Sequence, residues 1–382
     1  MLIGIPKEIK PEEYRIALLP QGVRLLTQLG HSVLVQKGAG TSAGYSDEDF
    51  ELAGARTVSG AGTVFREAEL IVKVKEPIEQ EYDFFRDGLT LFCYLHSETR
   101  PALVELLLNR NITAIAFENV KLADGTFPLL APMSIIAGQQ ALLQGMQFLW
   151  NHRDGIGKSM VAYPGLEPPR VVVLGAGQAG LHAAKVAAAL GADVAVFEIS
   201  AARIQSIAAQ LPANVHLLHI QTVALEPYIR AADMIINTAT VPPNSSDHLI
   251  DRQMLSKMQK GSIIVDVTAN LKGAVETIDH YSTHDEPVWV VDGIIHYAVT
   301  NIPGTVARTA SQALSSAVLP YLVHLAEQGP VDALQDDAAL LQGLTAISGI
   351  LTWHQSGEFQ NRTWCSPQDA LNALLDKDIL ES

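Results

Sequence analysis

Apolar positions along the chain gather into short runs hydrophobic on both sides, and stretches of helical spacing separate them. That alternation builds parallel α/β units. In the first third, Leu2-Ile5, Ser32-Gln36, Leu70-Val74, Thr90-Cys93 and Thr113-Phe117 read as buried strands. Helical patterns lie between them, including Pro20 to Leu29 and Arg100 to Leu108. Ser46 before Asp47-Glu48-Asp49 marks a helix start, because a hydroxyl can cap the first turn and acids there suit the positive end of the helix.

A longer helical pattern runs from Ser134 to about Trp150, and Gly, Pro and polar residues then cluster from Gly155 to Pro169. A second α/β series begins with Val171-Leu174 and continues through Val194-Phe197, Val215-His219, Met234-Asn237, Ser262-Asp266 and Val288-Asp292. The last large helix is expected from near Thr309 to Gln328, with short helices after it. The expected class is α/β, with two Rossmann-like domains built on parallel sheets. One domain, 130–306, is inserted in a discontinuous one made of 1–129 and 307–382. Helices crossing between them would leave a cleft, a common place for a small-molecule site.

Composition narrows the possibilities. At 382 residues the chain is too long for one ordinary core. A net charge of -15 argues against nucleic acid as a partner. No apolar run is long enough to span a bilayer, and the opening residues lack the pattern of a signal peptide. The two cysteines, Cys93 and Cys365, form neither a disulfide framework nor a metal-ligand spacing, so a cytoplasmic protein without a metal is expected.

Candidate chemistry enters at Gly175-Ala176-Gly177-Gln178-Ala179-Gly180, directly after the strand Val171-Leu174 and before a helical run to Leu190. In such a turn Gly175 permits the tight bend, Gly177 lets backbone N–H groups approach a pyrophosphate, and Gly180 lets the helix pack close to the strand. The helix N-terminus adds positive potential for phosphate. Glu198 stands 18 residues after Gly180, at the end of the next strand. A carboxylate there accepts from a ribose diol and repels a 2′-phosphate, which favours NAD over NADP. A glycine turn without a ligand is the bland alternative, but the ordered strand, helix, strand and terminal acid favour a dinucleotide.

Further segments stand in order along the chain: Gly4-Ile5-Pro6-Lys7-Glu8, Glu13-Tyr14-Arg15-Ile16-Ala17, Lys37-Gly38-Ala39-Gly40 and Val72-Lys73-Val74-Lys75-Glu76-Pro77. Leu130-Ala131-Pro132-Met133-Ser134, Val290-Val291-Asp292-Gly293, His296-Tyr297 and Asn301-Ile302-Pro303-Gly304 continue the series. Together they resemble the alanine dehydrogenase and transhydrogenase α-subunit superfamily, a likeness that covers roughly residues 1–330. Tyr94-Leu95-His96 resembles the alanine dehydrogenase branch. The resemblance implies NAD, a homohexamer, and reversible oxidative deamination of L-alanine or a related small amino acid to the 2-oxo acid and ammonia. It also implies that Arg15 and Lys75 hold the substrate carboxylate, that His96 is the acid/base, and that Ser134, Glu198 and Asn301 contact NAD.

Taken alone, these residues have bland readings too. Arg15 lies in polar surroundings, where most arginines face solvent. Period-two alternation puts Lys73 and Lys75 on one face, functional or merely exposed at a strand edge. His96 sits where a strand gives way to a loop, and an imidazole there serves proton exchange or a structural hydrogen bond. The main departure from the resemblance is Asn270, where alanine dehydrogenases carry an aspartate that works with the histidine. Asparagine keeps the shape but cannot accept a proton. Lys272 stands where a glycine is usual, and Pro242 to Asp247 replaces a more basic loop. These departures leave two further readings open: altered specificity, toward another amino acid or an imine, and an NAD(H)-binding protein without catalysis.

Overall fold

The central apolar runs become strands covered on both faces, as a parallel sheet requires, while runs at a sheet edge such as Val215–His219 and Val288–Val291 stay partly exposed. The computed structural model describes residues 1–241, 247–268 and 270–381, so most of the Pro242 to Asp247 loop lies outside the described residues. The chain divides into two units, Met1–Met133 with Gly304–Ser382, and Ser134–Pro303.

The first unit contains β1 (Leu2–Ile5), β2 (Ser32–Gln36), β3 (Arg56–Val58), β4 (Leu70–Val72), β5 (Thr90–Cys93) and β6 (Thr113–Ala116). The second contains β7 (Arg170–Leu174), β8 (Asp193–Glu198), β9 (Val215–His219), β10 (Met234–Asn237), β11 (Ile263–Asp266), β12 (Val288–Val291) and β13 (Ile294–Tyr297). Near the C-terminus β14 (Leu344–Ile347) and β15 (Ile350–Leu351) return to the first unit.

The two sheets run β15-β14-β6-β5-β4-β1-β2-β3 and β12-β13-β11-β10-β7-β8-β9. Each holds a doubly wound core in which the strand order reverses beside its first strand, so each has a crevice at the carboxyl ends there. In the second unit Val171, Val173, Ile236 and Val265 pack on one face, while Val172, Leu174, Ile235 and Ile264 pack on the other. That division explains why those strands read as unbroken apolar runs.

The sheets are parallel except at their edges, where β12 and β14 pair antiparallel with β13 and β6, and β15 with β14. The tail is therefore not helices alone. Leu344–Ile347 is a four-residue buried strand, too short for periodicity to separate from a helical segment. The capping box expected at Ser46 is present, with Asp49 closing it. Among the described residues no helix is long and apolar enough to cross a membrane.

Candidate active site

Strands β1, β4, β5 and β6 are neighbours in parallel register, so the loops leaving their carboxyl ends emerge side by side. Arg15 follows β1, Lys75 follows β4, His96 follows β5, and Glu118 follows β6. The sheet thus brings together four residues separated by up to 103 positions in sequence.

Arg15 is buried, at 3% exposure, which removes the solvent-facing reading. Its Nε donates to Glu13 Oε1 at 2.7 Å and its Nη2 to Glu13 Oε2 at 2.6 Å, while Nη1 meets Met133 Sδ at 3.0 Å. The two-pronged contact fixes the plane of the guanidinium. Burial works to raise the Glu13 carboxyl, but Arg15 outweighs it and the net shift is downward. Just beyond, the N–H groups of Ile16 and Leu19 donate to Ser311 Oγ and Ser315 Oγ, both at 3.0 Å. Those hydroxyls lie on the Ala307–Gln328 helix four residues apart, hence on one side of it. They satisfy buried donors in a segment that has no sheet ladder.

The two lysines after β4 part company. The strand ends at Val72, so the alternation that aligns Lys73 with Lys75 does not continue. Lys73 is 2% exposed and bonds both oxygens of Glu81, at 2.6 and 2.7 Å, with Glu8 Oε2 at 3.6 Å. It is a structural ion pair beneath the loop. Burial raises Glu8 to about 7 in spite of Lys73. Lys75 is half-buried. Burial, with the Arg15 guanidinium adding to it, lowers its ammonium to about 8. Arg15 and Lys75 are thus close enough to repel, and an anion between them relieves that repulsion.

His96 opens the 3-10 turn Ser97–Thr99 in a left-handed conformation, φ 44° and ψ 45°. Its ring lies parallel to Tyr94, 6.1 Å between centroids, and the Tyr94 hydroxyl donates to Leu129 O at 2.6 Å. Arg100 Nη1 donates to His96 O at 2.7 Å, and Glu76 is shared by Arg100 and Lys10. Burial, then the charge of Lys75, lowers the imidazole to about 3, so it is neutral near pH 7.

The other expected residues all fall in the second unit; Ser134 lies on the Ala131–Gln147 helix, and the rest lie at or after the carboxyl ends of the strands. Gly175 turns the chain out of β7 at φ 87°. Gly177 caps the Gln178–Ala189 helix without a side-chain hydrogen bond, and no atom lies within 4 Å of where its Cβ would stand. That opening, at a helix start with uncapped N–H groups, fits a pyrophosphate. Gly180 is closed instead: a Cβ there would come within 1.9 Å of Gly175 O.

Glu198 ends β8 and accepts from the N–H groups of Ala176 at 2.8 Å, Ile199 at 2.8 Å and Ser200 at 2.9 Å. It therefore holds the glycine turn as well as presenting a carboxylate. Ala179 O packs against Gly138, one turn along the Ala131–Gln147 helix from Ser134. Asn301 follows β13. Asn270 follows β11, and its Nδ2 donates to Val241 O at 3.3 Å. Lys272, at φ 49°, takes a left-handed conformation that glycine adopts more freely than lysine.

Sequence reasoning passed over Glu13, Glu8, Glu118, Arg100 and the serine pair. An acid two positions before a candidate anchor was a usable signal for Glu13. Arg100 reaches His96 O from four positions on, and the rest depend on chain segments that are distant in sequence.

Residues 4–137 match the N-terminal domain of alanine dehydrogenase/PNT, and residues 141–354 match its C-terminal domain. The alanine dehydrogenase of Methanococcus maripaludis is 39% identical over 372 residues, spanning 97% of this chain and 100% of that protein. That of Staphylococcus saprophyticus is also 39% identical, over 371 residues, with 97% and 100% covered. Among solved structures, an L-alanine dehydrogenase superposes with a TM-score of 0.89 at 40% identity, covering 94% of this chain and 99% of the other. A transhydrogenase from Sinorhizobium meliloti shares the fold, with a TM-score of 0.78 at 22% identity, covering 92% of this chain and 100% of the other.

Proposed function

The chain belongs to the alanine dehydrogenase/PNT family, and we propose that it catalyses the NAD-dependent, reversible oxidative deamination of L-alanine to pyruvate and ammonia. The observation that carries this reading is the meeting of Arg15, Lys75 and His96 on the adjacent loops after β1, β4 and β5. The first unit is the substrate domain and the second the NAD domain.

Arg15, its plane set by Glu13, and Lys75 bind the substrate carboxylate and fix the orientation of the Cα–H bond. His96 is neutral and accepts the proton released when water adds to the imine carbon; in the reverse direction it returns that proton. Ser134, Gly175, Gly177, Gln178, Ala179, Gly180, Glu198 and Asn301 hold NAD, and the carboxylate of Glu198 disfavours NADP. Bound NAD supplies the acceptor for the hydride from Cα. By resemblance the enzyme is a homohexamer.

Asn270 favours a second reading, a larger amino acid or a preformed imine as substrate, since an amide cannot share proton transfer with His96. The test is NADH oxidation with pyruvate plus ammonium, run beside a panel of 2-oxo acids and primary amines. Pyruvate and ammonium should give the highest kcat/KM. Turnover only with larger oxo acids or with amines supports the second reading, and NADH binding without turnover on any substrate defeats both.

A further inference from the structure

Glu118 has no part in the substrate contacts above, yet it is built into the His96 loop. It lies in the 3-10 turn Phe117–Asn119 after β6. Its Oε1 and Oε2 accept from Leu95 N at 3.0 and 3.2 Å, and Oε1 accepts from His96 N at 2.6 Å. The same Oε1 stands 3.7 Å from His96 Nδ1, and the Glu118 side chain is 11% exposed. One half-buried carboxylate thus gathers two successive N–H groups at a residue whose left-handed backbone is unfavourable for most side chains. Gln360 Nε2 donates to Ser97 O at 2.7 Å, so the residue after His96 is held as well.

We propose that Glu118 is a positioning residue for His96: it fixes the loop backbone and supplies the negative charge that stabilises the imidazolium formed when His96 takes a proton. The proposal rests on the reading of His96 as acid/base. In deamination the water oxygen bonds to the imine carbon as one of its O–H bonds breaks. That proton goes to the imidazole and later to the departing amine nitrogen, so His96 ends as it began.

The charged and titratable groups around this pair are Lys10 after β1, Lys75 and Glu76 after β4, Cys93 and Tyr94 on β5 and its end, and Glu98 and Arg100 beyond His96. Burial raises Glu118 to about 7 against the N–H groups of His96 and Leu95. His96, held far lower, stays neutral across the same range. Near neutrality Glu118 is therefore the member of the pair that changes charge, and its ionised form is the active one.

The experiment is the pH profile of deamination for the intact enzyme and for Glu118→Gln, whose amide oxygen can still accept from both N–H groups. The parent kcat/KM should rise through pH ~7. Glu118→Gln should lose that limb and about 10-fold or more in kcat, within the range general acid–base catalysis supplies. Its NADH affinity should stay unchanged. Parent-like kcat with the limb intact overturns the proposal. If the variant fails to fold, a parent profile flat between pH 6 and 8.5 overturns it instead. His96→Ala separates the two levels: retained turnover there refutes the acid/base reading itself, whereas lost turnover beside an unaffected Glu118→Gln refutes only the role of Glu118.

Discussion

Two alanine substitutions only three residues apart in sequence divide cofactor binding from packing at the glycine turn. At Gly177 the space for a Cβ is empty to 4 Å and φ is -65°, a conformation alanine adopts readily. Gly177→Ala should leave the fold intact or stabilise it by about 0.4–1 kcal/mol, through a less flexible unfolded chain. The added methyl group would stand where a pyrophosphate approaches the backbone. Losing one charge-assisted hydrogen bond costs roughly 1.5–3 kcal/mol, or about 10- to 100-fold in NADH affinity.

At Gly180 the balance reverses. A Cβ 1.9 Å from Gly175 O and 2.7 Å from Thr238 Oγ1 forces the helix off its strand. Overpacking of this kind costs about 1–3 kcal/mol. At roughly 2–4 °C per kcal/mol for a domain of this size, Tm falls by about 2–12 °C. Thermal denaturation without cofactor and fluorescence titration with NADH give the two readouts. Parent-like NADH affinity in Gly177→Ala would refute the assignment of this turn to the pyrophosphate, and undiminished Tm in Gly180→Ala would refute the packing argument.

With Lys75 lowered to about 8, its charge is present below that pH and lost above it. The kcat/KM for pyruvate should therefore fall as pH rises through about 8, and a flat profile to pH 9.5 argues against Lys75 as a carboxylate anchor. Glu13→Gln removes half of a buried ion pair and should destabilise the first unit by about 3 kcal/mol in denaturant unfolding. Because Glu13 also holds the Lys75 ammonium up, the pyruvate limb should move to lower pH, and an unmoved limb would show that the groups are not coupled. Asn270→Asp supplies a carboxylate that can exchange a proton and should raise the alanine deamination rate; an equal or lower rate counts against a catalytic role for position 270.

Most strands were legible in sequence because their apolar runs are short and bounded by turns, whereas β3, β13, β14 and β15 were not read as strands. Val215-His219 and Met234-Asn237 coincide with β9 and β10 to the residue, and even the less regular ends differ by one or two positions. The glycine turn was legible for a related reason: bend, approach and packing are each met by a local residue type at a set spacing. What the chain pattern could not show was the partner of each charge. Lys73 and Lys75 look equivalent in sequence, yet one is neutralised by Glu8 and Glu81 and the other is left beside Arg15.

Order along the chain therefore settled the class of fold, the place of the nucleotide turn and the residue types available for chemistry, since these depend on neighbours a few positions away. The charge state of His96 and Lys75, the orientation of Arg15 and the standing of Glu118 were decided only when β1, β4, β5 and β6 came to lie side by side. Electrostatic energies depend on separation and burial in space, and neither is written in the spacing of residues.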